Sequence, residues 1–338
     1  MGFLINSFIE FPAATESIAG WEEIDRVTLG DNATSMNVSV SNYKYYMLLV
    51  DMISNTNNPE VRLRLNSDAD ANYSFRRGYN DNDDSTSVNR NQIENVASFD
   101  NVPNFMVMNW ANLASNEKLL TMTGNSAKTT GSATAPDQTS LVAKWANTSS
   151  SITSFNFDGA TYLAGSEVVA LGWNPTGTTD NFWEELADIE LGSAGDSLNS
   201  GTITAKRYIW VQFYIISSGA TNCRMTFNGD TGNNYSLRNS DNGGTSGETT
   251  GAANLNLNVA GAGTSFYNAF IVNNTSKEKL IIDHGIGDPT TGSGNPPDRD
   301  EKCGKWANTA AQITNITVTN LGTGSYDTGS ILKIWGHD

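Results

Sequence analysis

The residues in this chain that could do chemistry are few, and most are carboxylates. Asp68-Ala69-Asp70-Ala71-Asn72 reads like the first half of a calcium loop, in which carboxylate and amide oxygens alternate around one hard cation. The glycine such a loop needs for its sharp turn is Tyr73, and its bidentate glutamate is Tyr79, so an EF-hand is excluded. Asp230-Thr231-Gly232-Asn233-Asn234 repeats the pattern with one carboxylate fewer, and Asp81-Asn82-Asp83-Asp84 is a third acidic turn. Two readings stay open for Asp68, Asp70 and Asp230. Calcium could bridge the turn, or the side chains could hydrogen-bond their own backbone as Asx turns. The missing ligands favour the Asx turn, and no cofactor is expected.

Catalytic constellations are harder to build. Glu22-Glu23 and Glu184-Glu185 are adjacent pairs, and neighbours on a strand point to opposite faces. Glycosidase carboxylates instead face one another across a cleft. His284 and His337 have no counterpart in the first half of the chain, and zinc sites or imidazole-based acid–base catalysis need clusters. Neither a phosphate-binding glycine loop, a dinucleotide fingerprint nor a Gly-x-Ser-x-Gly elbow is present. The chain reads as a non-enzyme.

The acidic turns recur because the chain is written twice. Lys144-Trp145-Ala146-Asn147-Thr148 returns as Lys305-Trp306-Ala307-Asn308-Thr309, an offset of 305 − 144 = 161. Trp21-Glu22-Glu23 returns as Trp183-Glu184-Glu185, and Arg62, Asn66, Asn72-Tyr73-Ser74 and Arg76 return as Arg224, Asn228, Asn234-Tyr235-Ser236 and Arg238. The division that follows is an N-terminal arm at 1–20, one domain at 21–174 and a second at 175–338. Each copy is large enough to bury its own core.

The net charge of −16 is spread over both copies, with ten basic residues against nineteen acidic in the first and ten against seventeen in the second. An evenly acidic surface disfavours a phosphate backbone, so nucleic acid is not expected as a partner. No stretch has the ~18 apolar residues that span a bilayer, so no membrane partner is expected. The apolar start lacks a basic segment and a small-residue cleavage pattern, so no signal peptide is read there. Its Phe3, Leu4, Ile5, Phe8, Ile9 and Phe11 are expected to form an assembly contact. Cys223 and Cys303 align with Val61 and Val142 and read as small buried apolar sites, with free thiols favoured over a disulfide between them.

Alternation of apolar and polar residues places strands at 27–40, 43–53, 61–66, 104–109, 118–122, 152–157 and 167–173, each with a partner in the second copy. Polar stretches at 78–84 and 239–250 read as loops, 21–25 as a turn, and Lys144-Trp145 as a strand start. About eight strands per copy and no helix predict an all-β fold of two tandem antiparallel β-sandwiches, jelly-roll-like. Trp145, Trp306 and Trp210 read as core or interface anchors rather than sugar platforms.

The phrases Trp183-Glu184-Glu185-Leu186, Asn234-Tyr235 with Arg238 and Ser240-Asp241-Asn242-Gly243-Gly244, Ser276-Lys277-Glu278-Lys279-Leu280, and Gly304-Lys305-Trp306-Ala307-Asn308-Thr309 resemble tandem β-sandwich virion structural proteins of marine bacteriophages. The resemblance implies a non-catalytic particle component that is made in the host cytoplasm, resides in the virion, and assembles with itself and other virion proteins. Two similar domains would let a trimer present pseudo-sixfold symmetry. The alternative expectation is a glycan- or receptor-binding module on the same fold.

Overall fold

The computed structural model describes residues 20–41, 43–55, 60–80, 85–96, 101–113, 115–174, 181–217, 219–244, 246–257, 264–288 and 296–338. All regular elements in these residues are strands. The first half holds β1 (Gly20–Thr28), β2 (Met36–Ser39), β3 (Tyr45–Met52), β4 (Arg62–Leu65), β5 (Tyr73–Tyr79), β6 (Ser85–Arg90), β7 (Ile93–Glu94), β8 (Asn104–Ala111), β9 (Lys118–Ser126), β10 (Asp137–Trp145), β11 (Ser154–Asp158) and β12 (Glu167–Asn174). The second half holds β13 (Glu184–Glu190), β14 (Ser197–Asn199), β15 (Tyr208–Ile215), β16 (Cys223–Phe227), β17 (Tyr235–Asp241), β18 (Gly247–Ala252), β19 (Leu255–Asn256), β20 (Thr264–Val272), β21 (Lys279–Asp288), β22 (Asp298–Trp306), β23 (Ile316–Asn320) and β24 (Ile331–His337).

Each half is a β-sandwich with the same strand order. The first half pairs an eight-stranded sheet, β1-β12-β3-β8-β9-β10-β5-β6, with a four-stranded sheet, β2-β11-β4-β7. The second half repeats this as β13-β24-β15-β20-β21-β22-β17-β18 over β14-β23-β16-β19. Without β5, β6, β9 and β10, two four-stranded sheets remain, and the chain steps between them at every connection except that from β4 to β7. That is the jelly-roll wrap. The β5–β6 and β9–β10 hairpins widen one sheet of it.

These hairpins account for several differences from the sequence reading. The stretches 78–84 and 239–250 are not wholly loop: β5 runs on to Tyr79, β17 runs on to Asp241, and β18 starts at Gly247 and pairs with β17. β6 and β18 are sheet edges with almost wholly exposed side chains, so pairing holds them and no apolar alternation marks them. Residues 21–25 belong to β1, which bulges between Glu23 and Asp25 rather than turning. Lys144-Trp145 ends β10 rather than starting a strand.

The repeated residues build the scaffold. Asn66 and Asn228 adopt left-handed backbone at φ 55° and 54°, a conformation Asn tolerates better than most residues. Their side-chain oxygens accept from the Thr153 and Thr314 amides at 2.7 and 2.8 Å, fastening β4 and β16 to β11 and β23. The Tyr73 and Tyr235 hydroxyls accept from the Leu65 and Phe227 amides at 2.9 and 3.0 Å. Asn147 and Asn308 each cap the turn that follows, accepting from Ser149 and Ala310. Lys118 and Lys279 donate to the carbonyls of the same asparagines.

The inner faces form one core per half, with Trp110 and Trp145 in the first and Trp306 in the second. A third apolar cluster spans both halves. Met47, Leu49, Phe105 and Val107 from the outer face of the first wide sheet meet Tyr208, Leu280, Ile282 and Cys303 from the outer face of the second. β3 is thus buried on both faces and reads as a continuous apolar run rather than an alternation. Around this cluster, the Asn125 amide donates to the Ile281 and Gly304 carbonyls at 2.8 Å. Arg238 donates to the Pro136 carbonyl at 3.0 Å. Arg207 pairs with Asp51 at 2.9 Å and Glu167 at 3.1 Å, both carboxylates being buried. Tyr208 donates to Glu167 at 2.8 Å.

Removing one partner of a buried ion pair strands the other. Arg207→Ala is expected to destabilise the chain by about 2–3 kcal/mol, read as a lower urea midpoint with an unchanged slope.

Candidate functional site

The acidic turns resolve into matched hydrogen-bond junctions. One oxygen of Asp68 accepts from the Asp70 amide at 2.8 Å, and the other accepts from Asn72 at 2.8 Å and the Trp145 indole at 2.7 Å. Asp230 does the same with the Gly232 amide, Asn234 and the Trp306 indole at 2.8, 2.9 and 2.7 Å. Desolvation acts to raise both carboxyls, but these donors outweigh it and hold them below the ordinary value. Positively polarised N–H groups therefore stand where a cation's ligands would have to point. Asp70 is exposed and supplies its amide to the turn rather than its carboxylate. Asp81-Asn82-Asp83-Asp84 and the arm residues Phe3, Leu4, Ile5, Phe8, Ile9 and Phe11 lie outside the described residues. Among the described residues no group of three or more His, Cys, Asp or Glu side chains is placed to hold a metal.

The remaining singled-out residues disperse. Glu23 pairs with Arg26 at 2.7 Å, Glu184 with Lys206 at 3.0 Å, and Glu185 lies 3.9 Å from Lys333. His337 stacks on Phe182 at 4.3 Å. Cys223 and Cys303 are free and buried, Cys223 in the second core and Cys303 between the halves. The alignment of Cys303 with Val142 as two buried sites fails, because Val142 is exposed.

That mismatch points to the surface with the strongest binding character. Tyr45, Leu119 and Val142 are 45%, 54% and 49% exposed. They occupy the outer face of β3, β9 and β10. The register of the second half puts Tyr208, Leu280 and Cys303 at the equivalent positions, 163, 161 and 161 residues later. Those three are only 1%, 0% and 0% exposed, because the first half lies on them. These three positions of the sheet face are therefore covered in one copy and open in the other. On the open copy a recess of about 410 Å3 is walled by Trp21, Tyr45, Trp110, Leu119 and Trp173, with Asn109 and Thr121 as its polar edge. Trp21 and Trp173 meet edge-to-face at 5.6 Å. Beyond Leu119 a second recess of about 480 Å3 runs over Val142 to Phe75 and Val88, flanked by Arg76 and Lys144.

A smaller cleft of about 280 Å3 lies between the halves. It is lined by Asn109, Thr121 and Ser140 on one side and Asn268, His284 and Glu301 on the other. Thr123 and His284 approach to 3.4 Å beside it. Sequence patterning missed the open face because Tyr45, Leu119 and Val142 carry the same residue character as buried strand positions. Only comparison of the two copies' exposure sets them apart.

No family model matches the chain, and no curated protein matches it. Among solved structures, the mouse laminin alpha1 chain, domains LG4-5, is similar at 10% identity over 94% of this chain and 90% of that chain, with a TM-score of 0.21. A likeness at that level carries no argument about this chain.

Asp230→Ala, or Asp68→Ala in the first copy, leaves a buried indole N–H without an acceptor and is expected to cost about 1–3 kcal/mol in chemical denaturation. A carboxyl whose folded pKa is depressed contributes stability above its unfolded value of 3.8, and that contribution is lost as pH falls through the folded value. The stability difference between each variant and wild type, measured by denaturant unfolding, should therefore shrink as the pH is lowered below 3.8.

Proposed function

We propose that this chain is a non-catalytic structural subunit of a virus particle that acts through assembly with copies of itself and other particle proteins. The observation that carries the assembly reading is the open end of the wide sheet's outer face, where Tyr45 of β3, Leu119 of β9 and Val142 of β10 expose apolar side chains together. Its equivalent in the second half is closed by a copy of the same fold. A second chain is the occupant with the matching chemistry, since a jelly-roll sheet already covers this face once within the molecule. The particle itself is supported by the duplicated phrases and by two jelly rolls in one chain, which let three subunits make six similar contacts. The arm at 1–12 adds a second contact through Phe3, Leu4, Ile5, Phe8, Ile9 and Phe11.

A second reading, a glycan-binding module, draws on one observation. Trp21, Tyr45 and Trp173 line a recess edged by Asn109 and Thr121, a combination of ring faces and hydrogen-bonding groups that suits a sugar.

Leu119→Asp with Val142→Asp alters only exposed side chains, so stability should stay within about 0.5 kcal/mol of wild type per site. Self-association measured by light scattering should be lost. A wild-type chain that stays monomeric at particle-like concentration and salt would count decisively against the assembly reading. Deleting residues 1–12 should abolish co-sedimentation with particles while leaving the strand signal in circular dichroism unchanged. For the second reading, reproducible glycan-array binding that Trp173→Ala removes is the expected result.

A further inference from the structure

The second half's core holds charges that the first half does without. On the inner face of the wide sheet, Asp283 of β21 stands opposite Lys302 of β22, and Asp300 lies two residues along β22, opposite Gly285. All three are cut off from solvent, at 0% exposure for Asp283 and Asp300 and 3% for Lys302. The equivalent residues of the first half, 161 positions earlier, are Met122, Leu141 and Thr139, with Met122 opposite Leu141 in the same register. The fold therefore needs no charge at this place.

Lys302 is ion-paired with Asp300. Neither oxygen of Asp283 has a hydrogen-bond partner, so a fully buried carboxyl is left facing the pair. Ionised groups in an apolar interior are costly unless they are paired and fully hydrogen-bonded. Burial accordingly pushes the Asp283 carboxyl up and the Lys302 ammonium down, toward their uncharged forms. An uncharged lysine is a nucleophile, and a protonated carboxyl beside it is a general acid. Alternate residues on a strand are about 6.6 Å apart, a span that a lysine side chain laid along the strand covers to reach the next carboxyl on its own face.

We propose that Lys302 and Asp300 condense into an intramolecular amide, with Asp283 as the proton carrier. The Lys302 ammonium first passes one proton to the Asp300 carboxylate, and Nζ of the now neutral lysine attacks Cγ of the resulting carboxylic acid. Asp283 gives its proton to the departing hydroxyl and takes one from the attacking nitrogen. One C–N bond forms, one C–O bond breaks, one water leaves, and Asp283 ends protonated as it began. No oxidant, reductant or further reactant enters. The product converts a buried ammonium and a buried carboxylate into a neutral amide, removing the charge that the first copy avoids with Leu141 and Thr139. Asp300 is the acceptor because it is the carboxyl in contact with Lys302, and unpartnered Asp283 across the strand is free to shuttle the proton.

The test is the intact mass of the purified full-length chain under denaturing conditions. The expected mass is lighter than the sequence mass by one water. Trypsin should leave the chain uncut after Lys302, and fragment ions should map the link to Lys302 and Asp300. Asp283→Asn keeps nucleophile and acceptor but removes the acid, and it should retain its full sequence mass. A triple change to the first copy's residues, Asp283→Met, Asp300→Thr and Lys302→Leu, fits side chains the fold already accommodates and should fold at its own full mass. A wild-type chain at the full sequence mass overturns the proposal. A link mapped to Asp283 overturns the assignment of the acceptor, and a linked Asp283→Asn variant overturns the proton carrier.

Discussion

A four-stranded sheet cannot cover an eight-stranded one, and that mismatch governs this molecule. In each half the narrow sheet closes only the inner face of the wide sheet. The wide sheet's outer face carries apolar side chains on β3 and β8 and on β15, β20 and β21, so water is a poor neighbour for it. The chain meets the constraint by laying one wide sheet against the other, with Leu49 and Val107 on one side and Tyr208, Leu280 and Ile282 on the other. Polar groups close the margins. Arg207 satisfies Asp51 and Glu167, while Asn125 reaches the backbone of β21 and β22. The result is a joint with the character of a core, not of a linker between beads.

The joint treats two near-copies unequally, and the inequality is informative. The second half's face is buried by the first half, but the corresponding face of the first half keeps Tyr45, Leu119 and Val142 in the open. Residue choice follows this division. Where the second copy is covered it uses Tyr208 and Cys303, which fill space and tolerate burial. Where the first copy is open, Arg76 and Lys144 frame the apolar strip. The copies have also diverged inside, since the second core replaces Met122, Leu141 and Thr139 with Asp283, Lys302 and Asp300. Duplication thus supplies an internal control for each half.

What the repeat keeps constant is fold-making rather than chemistry. The Trp145–Asp68 and Trp306–Asp230 hydrogen bonds tie the end of one strand to the turn before the next. The Asn66 and Asn228 side chains replace backbone partners where the chain turns left-handed. Each junction satisfies donors that would otherwise be buried without acceptors. The acidic turns are explained by this work, and the lysines of the repeated phrase serve it too, Lys144 by pairing with Glu117 at 3.0 Å and Lys305 by donating to the Ala127 carbonyl at 2.8 Å.

The sequence by itself determined the duplication, the all-β class and the burial of Trp145 and Trp306, because these rest on local alternation and on repetition, which need no partner to be visible. It placed most of β18 in a loop and left β6 unmarked, since an exposed edge strand is held by backbone pairing and its side chains carry no periodic signal. It could not separate Val142 from Cys303 or Leu119 from Leu280, because identical strand chemistry is buried or open according to what lies across the sheet. Nor could it show that Asp283, Asp300 and Lys302 share one dry face, since Asp283 lies seventeen residues before Asp300 and meets it only through the register of β21 on β22. Those outcomes belong to tertiary structure: they depend on which sheet packs on which, and no single strand encodes that.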